Sequence, residues 1–141
     1  MFGNYNAVSA YKSVGVDSAV TAADPHKLIL LLLDGGLSAI SIAKGAMAQG
    51  QVAGKGEAIS KAIDIVENGL RASLDKEQGG ELALQLDLLY EYMGRRLLHA
   101  NVKNDSAALD EVSALLREIH AAWSEIRKRA IDQAANPAAA A

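Results

Sequence analysis

Seven residues near the end of the chain, Leu109, Val112, Leu116, Ile119, Trp123, Ile126 and Ala130, follow one another at alternating steps of three and four. That spacing draws one apolar line along an α-helix, whereas a strand, with side chains of period two, would scatter it over both faces. An isolated helix of this kind is marginal in water and needs partners for its stripe. The rest of the sequence supplies them.

The stretch "ADPHKLILLLLDGGLSAISIAKGAM" opens with Asp24 as an N-cap and Pro25 at the first helical position, where its missing N–H costs nothing. Leu30, Leu33, Leu37, Ile40 and Met47 form one apolar line in it, and Leu28, Leu32, Ala39 and Ala43 form a second beside it. "QGQVAGKG" is Gly-rich and aperiodic and reads as a connection. Ile59, Ile63, Val66, Leu70 and Leu74 mark a second helix, closed by "DKEQGG". Leu82, Leu86, Leu89, Met93 and Leu97 mark a third, and "NVKNDS" breaks it, offering Asp105 or Ser106 as the next N-cap. The pattern predicts an all-α, antiparallel up-down-up-down four-helix bundle over 24–132, with helices at about 24–47, 57–74, 80–101 and 106–131. Residues 1–23 read as an N-terminal arm, and 133–141, containing "NPAAAA", as a disordered tail.

Composition removes several classes of function. The 141 residues include no cysteine, which excludes disulfides, thiolate nucleophiles and Cys-based zinc sites. A net charge of -3 gives no overall attraction to nucleic acid or anionic lipid. The longest uninterrupted apolar run, Leu28 to Leu33, is far shorter than a spanning helix requires, so no membrane insertion is expected. A soluble, cytoplasmic protein is the expectation.

Motifs for chemistry are weak. His26, His99 and His120 have no metal partner at helical spacing, and the inward Glu-x-x-His of di-iron bundles is absent, so no metal or other cofactor is expected. "GQVAGKG" has three residues between Gly50 and Gly54 where a phosphate loop has four, and Gly56 stands where Ser or Thr would hold magnesium. The cluster Arg127–Arg129 sits where cations complement a helix dipole in any protein. Asp75 and Glu77 lie in a connection with no apolar pocket to raise a carboxyl pKa. The chain does not read as an enzyme. One alternative stays open, a helical signalling or phosphotransfer bundle using His99, although its helix is expected to end near Asn101.

Apolar residues beyond one stripe per helix are more informative. Leu28, Leu31 and Leu32 in the first helix, Ile65 in the second, and Leu84, Leu88, Tyr90 and Tyr92 in the third are surplus, and either an uneven core or a client groove for another chain's helices would use them. The candidate groove is Leu28, Leu32, Ile65, Leu84, Leu88, Tyr90 and Tyr92. Three of the chain's six aromatic residues, Phe2, Tyr5 and Tyr11, lie in the arm, which with Val8 could lie across such a groove as a lid.

At this point the residues match a known pattern. The stretches "SAYKSVGVDSA", "DPHKLILLLLDGG", "KGEAISKAIDIVENGLRASLDKEQGGELA", "LYEYMGRRLLHAN" and "LDEVSALLREIHAAW", in this order, resemble the FliS family of flagellin-specific export chaperones, from the arm to Trp123. The resemblance implies a cytoplasmic bundle that binds the C-terminal segment of newly made flagellin, prevents premature polymerisation and holds the client for the flagellar type III export gate. It further implies that the arm, through Val8 and Tyr11 with Tyr5 nearby, takes part in docking on an FlhA-type gate protein. Where the family usually carries an aromatic residue before Asp34-Gly35, this chain has Leu33. A client-free homodimer is left open, because a greasy groove can also self-associate.

Overall fold

A computed structural model describes residues 24–135, and all of its regular structure is helical. Helix α1 spans Pro25–Ala48; α2 spans Val52–Asp64 and continues as a π-helical segment, Ile65–Arg71; α3 spans Gly80–Lys103 and α4 spans Ser106–Ala135. Short connections force successive helices antiparallel, and each packs beside its neighbour in order, with α4 returning to α1. This is the four-helix bundle that the periodicity predicts.

Local chemistry sets the helix ends. Asp24 caps α1 by accepting a hydrogen bond from the Lys27 N–H at 3.0 Å, with Pro25 at the start. Gly50, at φ 68°, reverses the chain after α1, and Gln51 N–H donates to Ala46 O at 2.9 Å. That single turn suffices, so α2 begins at Val52 and not at 57, and Gly54 and Gly56 lie inside a helix. The gain is an anchor: Lys55 is buried, and its Nζ donates to Asn101 O at 2.9 Å and Asn104 Oδ1 at 2.7 Å. Those acceptors belong to the α3–α4 turn, where Asn104 adopts φ 53° and the Asp105 carboxylate accepts from Ala108 N–H at 3.3 Å to cap α4. Helix α3 runs to Lys103, and α4 reaches Ala135, so residues 133–135 are helical and not tail.

The core holds a second correction. Leu28, Leu32, Ala39 and Ala43, the secondary line of α1, are buried, while Leu30, Leu37 and Met47 of the expected main line are only partly buried. Because α1 packs against α2, the π segment and α4, it needs apolar residues on more than one side. Leu33, where an aromatic residue was the family expectation, is fully buried. By length and composition alone α1 could cross a membrane, but its apolar character is used by the core. Leu82 of α3 and Ile126 of α4 fit their helical repeats but lie on the surface.

The π segment was not foreshadowed by any residue pattern. It directs Arg71 toward α3, where the guanidinium donates to Asp87 Oδ1 at 2.7 Å and Glu67 Oε2 at 3.0 Å. These two carboxylates, Asp87 foremost, push the Arg71 pKa up, and Arg71 in turn holds the Asp87 carboxyl below its usual range. Gly94 admits this arrangement, since a Cβ there would stand 2.6 Å from Glu67 Oε1.

Candidate functional site

The residues singled out as a groove separate into two groups. Leu32, Ile65 and Tyr90 belong to the buried core, and Leu28 is buried as well, which corrects their assignment to an open surface. They are surplus to a single stripe because their helices are buried on more than one side. Burial pushes the Tyr90 hydroxyl up to about 12. Leu84 and Leu88, by contrast, are 53% and 65% exposed and lie one turn apart on the outer face of α3.

Tyr92 stands between these groups and has a structural task. Its hydroxyl donates to Glu111 Oε2, and Arg96 Nε donates to Glu111 Oε1 at 2.8 Å. Hydrogen bonding to the carboxylate pushes the Tyr92 pKa up and the Glu111 pKa down. His99 joins the same seam, its Nε2 lying 3.0 Å from Asp105 Oδ2. Since α3 continues past His99 to Lys103, this histidine is inside the helix and tied to the α4 cap.

Two exposed apolar surfaces lie away from that seam. Between α1 and α2 is an open groove of about 290 Å³, lined by Leu31, Asp34, Gly35, Ser38, Ile42 and Lys61. Along α3, Leu98 and Val102 extend the line of Leu84 and Leu88, 56% and 70% exposed. Sequence reasoning did not single out Leu98 and Val102, although the same steps of three and four, interrupted by Glu91 and Arg95, would have found them.

The end of the bundle where residues 1–23 join has a different character. His26 stacks on Trp123, with centroids 4.4 Å apart and planes 14° from parallel, and Trp123 Nε1 donates to the His26 carbonyl at 3.0 Å. Arg127 clasps Asp24 with two hydrogen bonds of 2.9 and 2.7 Å, and with the Lys27 N–H this lowers the Asp24 carboxyl to about 2. Both ring nitrogens of His26 are buried and have no hydrogen-bond partner among the described residues, and burial, reinforced by Arg127, lowers its pKa. Trp123 is thus partly buried against the core and bound to α1. Tyr5, Val8 and Tyr11 lie outside the described residues.

Reactive geometry is sparse. Ser124 Oγ lies 3.3 Å from His120 Nδ1, and His120 Nε2 lies 2.9 Å from Asp34 Oδ1, but Ser124 and His120 are one turn apart on a continuous helix that presents no free backbone N–H groups as an oxyanion hole. Among the described residues no three His, Asp or Glu side chains converge to hold a metal ion. The surfaces on offer suit binding, through apolar area flanked by charge.

Comparison with known proteins accords with a binding role. A family model described as "Flagellar protein FliS" matches residues 7–130. The "Flagellar secretion chaperone FliS" of Salmonella typhimurium is 51% identical over 125 residues, covering 89% of this chain and 93% of its own. The "Flagellar secretion chaperone FliSB" of Pseudomonas aeruginosa is 51% identical over 120 residues, 85% of this chain and 94% of its own. At greater distance, the Bacillus subtilis protein is 32% identical over 120 residues, 85% of each chain. With similarity running through the bundle and into the residues before it, this chain belongs to the FliS family, a family of chaperones and not of enzymes.

Proposed function

We propose that this protein is a cytoplasmic chaperone that binds the C-terminal segment of flagellin, keeps it from polymerising early and delivers it to the flagellar type III export gate. The names of its relatives as flagellar secretion chaperones support the general role. The observation that carries the client reading is the exposure of Leu84 and Leu88, one turn apart on a helix whose opposite side is fixed in the core.

In this reading an amphipathic client helix lays its apolar face on Leu84 and Leu88, and another enters the α1–α2 groove beside Leu31 and Ile42. Lys61 and Asp34, at the rim of that groove, orient the client by charge. Ordering a disordered client costs about 2 to 5 kcal/mol. Apolar burial at roughly 25 cal/mol per Å² offsets that cost only over a broad surface, which favours a client that wraps the bundle over one that touches a single groove. Leu28, Leu32, Ile65 and Tyr90 are buried and do not meet the client in this reading. The arm residues Tyr5, Val8 and Tyr11 are assigned to docking on an FlhA-type gate protein, by the resemblance alone.

Calorimetric titration with the C-terminal segment of the cognate flagellin, with circular dichroism before and after mixing, tests this reading. One-to-one binding with a gain of helix is expected. Absence of binding by a folded bundle would overturn it.

A further inference from the structure

The outer face of α3 continues beyond the two leucines assigned to the client. Leu84, Leu88, Glu91, Arg95, Leu98 and Val102 succeed one another at steps of four, three, four, three and four, which keeps all six on one narrow stripe. The stripe is about 27 Å long at 1.5 Å per residue. Its two ends are apolar, and all four of those residues are more than half exposed. Its middle is charged.

The two charges in the middle are not equivalent. Glu91 faces Arg71 at the end of the π segment, with Oε2 3.7 Å from the guanidinium that also serves Asp87 and Glu67. Arg95 is exposed and forms no ion pair among the described residues, not even with Glu91 one turn away. Its neighbour in sequence, Arg96, is committed to the fold, donating to Glu111 Oε1 at 2.8 Å in the α3–α4 seam. Of two adjacent arginines, one fastens α3 to α4 and the other stands on the apolar stripe with its charge unanswered.

A uniformly apolar helix laid along the stripe would strip water from the Arg95 guanidinium and offer it no acceptor, which is costly. A helix with a carboxylate at that level supplies a charge-assisted, bidentate acceptor instead. We infer that Arg95 is a specificity-determining residue of the client surface: it selects an amphipathic helix that spans the whole stripe, from Leu84 to Val102, and carries an Asp or Glu opposite the guanidinium. This rests on the proposed function and deepens it, extending the client contact to Leu98 and Val102.

Arg95 also sets the register. The apolar positions at each end recur at a step of four, so a client helix that slips by one turn still finds a leucine or valine beneath it. The carboxylate does not find Arg95 after the same slip. Apolar area thus supplies affinity, and the single unpaired cation supplies the discrimination between neighbouring registers and between acidic and basic clients.

Calorimetric titration of the full chain with the C-terminal segment of the cognate flagellin, repeated with Arg95 variants, tests this. Arg95→Glu should weaken binding by about tenfold or more, because it sets like charges face to face. Arg95→Gln should weaken it by about threefold and flatten its dependence on salt. Both variants should keep the native circular dichroism spectrum and unfolding temperature, since Arg95 has no partner in the described fold. In a scan of the flagellin segment that replaces each Asp or Glu by Lys, one substitution should weaken binding to the native chain and restore binding to Arg95→Glu. No binding by the native chain would overturn the client reading and this inference with it. Binding that Leu84→Ser, Leu88→Ser weakens but Arg95→Glu leaves unchanged would overturn this inference alone. So would a loss in Arg95→Glu that no charge reversal in the segment restores.

Discussion

Helices α1 and α3 are both 24 residues long and both rich in leucine, yet they use leucine differently. In α1, Leu28, Leu32 and Leu33 lie in the interior with Ile40, because α2, the π segment and α4 surround the helix. In α3 the inward positions go to Ala83, Tyr90, Met93, Leu97 and Ala100, and five large apolar residues face outward, four of them on one stripe with Glu91 and Arg95. Leucine content therefore says little about role. The number of packed neighbours and the placement of charge decide whether a leucine stabilises the fold or remains available to a partner.

The largest expected effect lies on the α1 side of this comparison. Leu32→Ala removes a fully buried side chain and should cost about 3 to 5 kcal/mol in denaturant unfolding. A loss below about 1 kcal/mol would place Leu32 in a site that collapses without penalty and would break the contrast with α3. Next in size is Lys55→Met, which keeps the stem but removes the ammonium that holds Asn101 and Asn104, at about 2 kcal/mol. Its effect should appear as faster amide exchange at the α3–α4 turn.

A smaller effect is read by pH at the end of the bundle. The folded pKa of His26 lies below its ordinary 6.5, so the unfolded chain takes up this proton first as the solution is acidified. The contribution of neutral His26 is fully present above pH 6.5 and declines as pH falls from there toward its folded value. Trp123, the single tryptophan and the ring on which His26 stacks, is the reporter. Its fluorescence should change with acidification in the native chain and stay flat in His26→Phe, and an identical titration in both would contradict this assignment. Smallest of all, Leu88→Ser should leave folding stability within about 0.5 kcal/mol, as exposed sites do.

Much of this architecture was legible in the sequence. Asp24 and Pro25 announced the start of α1, and the repeat from Leu109 to Leu116 identified the inner face of α4, because caps and helical periodicity are local properties. The start of α2 was not legible. Glycines at 54 and 56 argue against helix locally, and the compensating anchor from Lys55 to Asn101 and Asn104 depends on a contact across 46 and 49 positions. The same limit applies to the surface. Tyr90 and Leu88 both looked surplus in α3, and only the packing of neighbouring helices separates a core tyrosine from an exposed leucine.

The most direct test of this division is the affinity of the Leu84→Ser, Leu88→Ser double variant for the flagellin C-terminal segment, measured beside its thermal unfolding. Affinity lowered by about a hundredfold with an unchanged unfolding temperature is the predicted result, since roughly 1 to 1.5 kcal/mol should be lost from each side chain's burial. Unchanged affinity would show that the outer face of α3 is not where a client binds, and a collapse in unfolding temperature would show that it belongs to the fold.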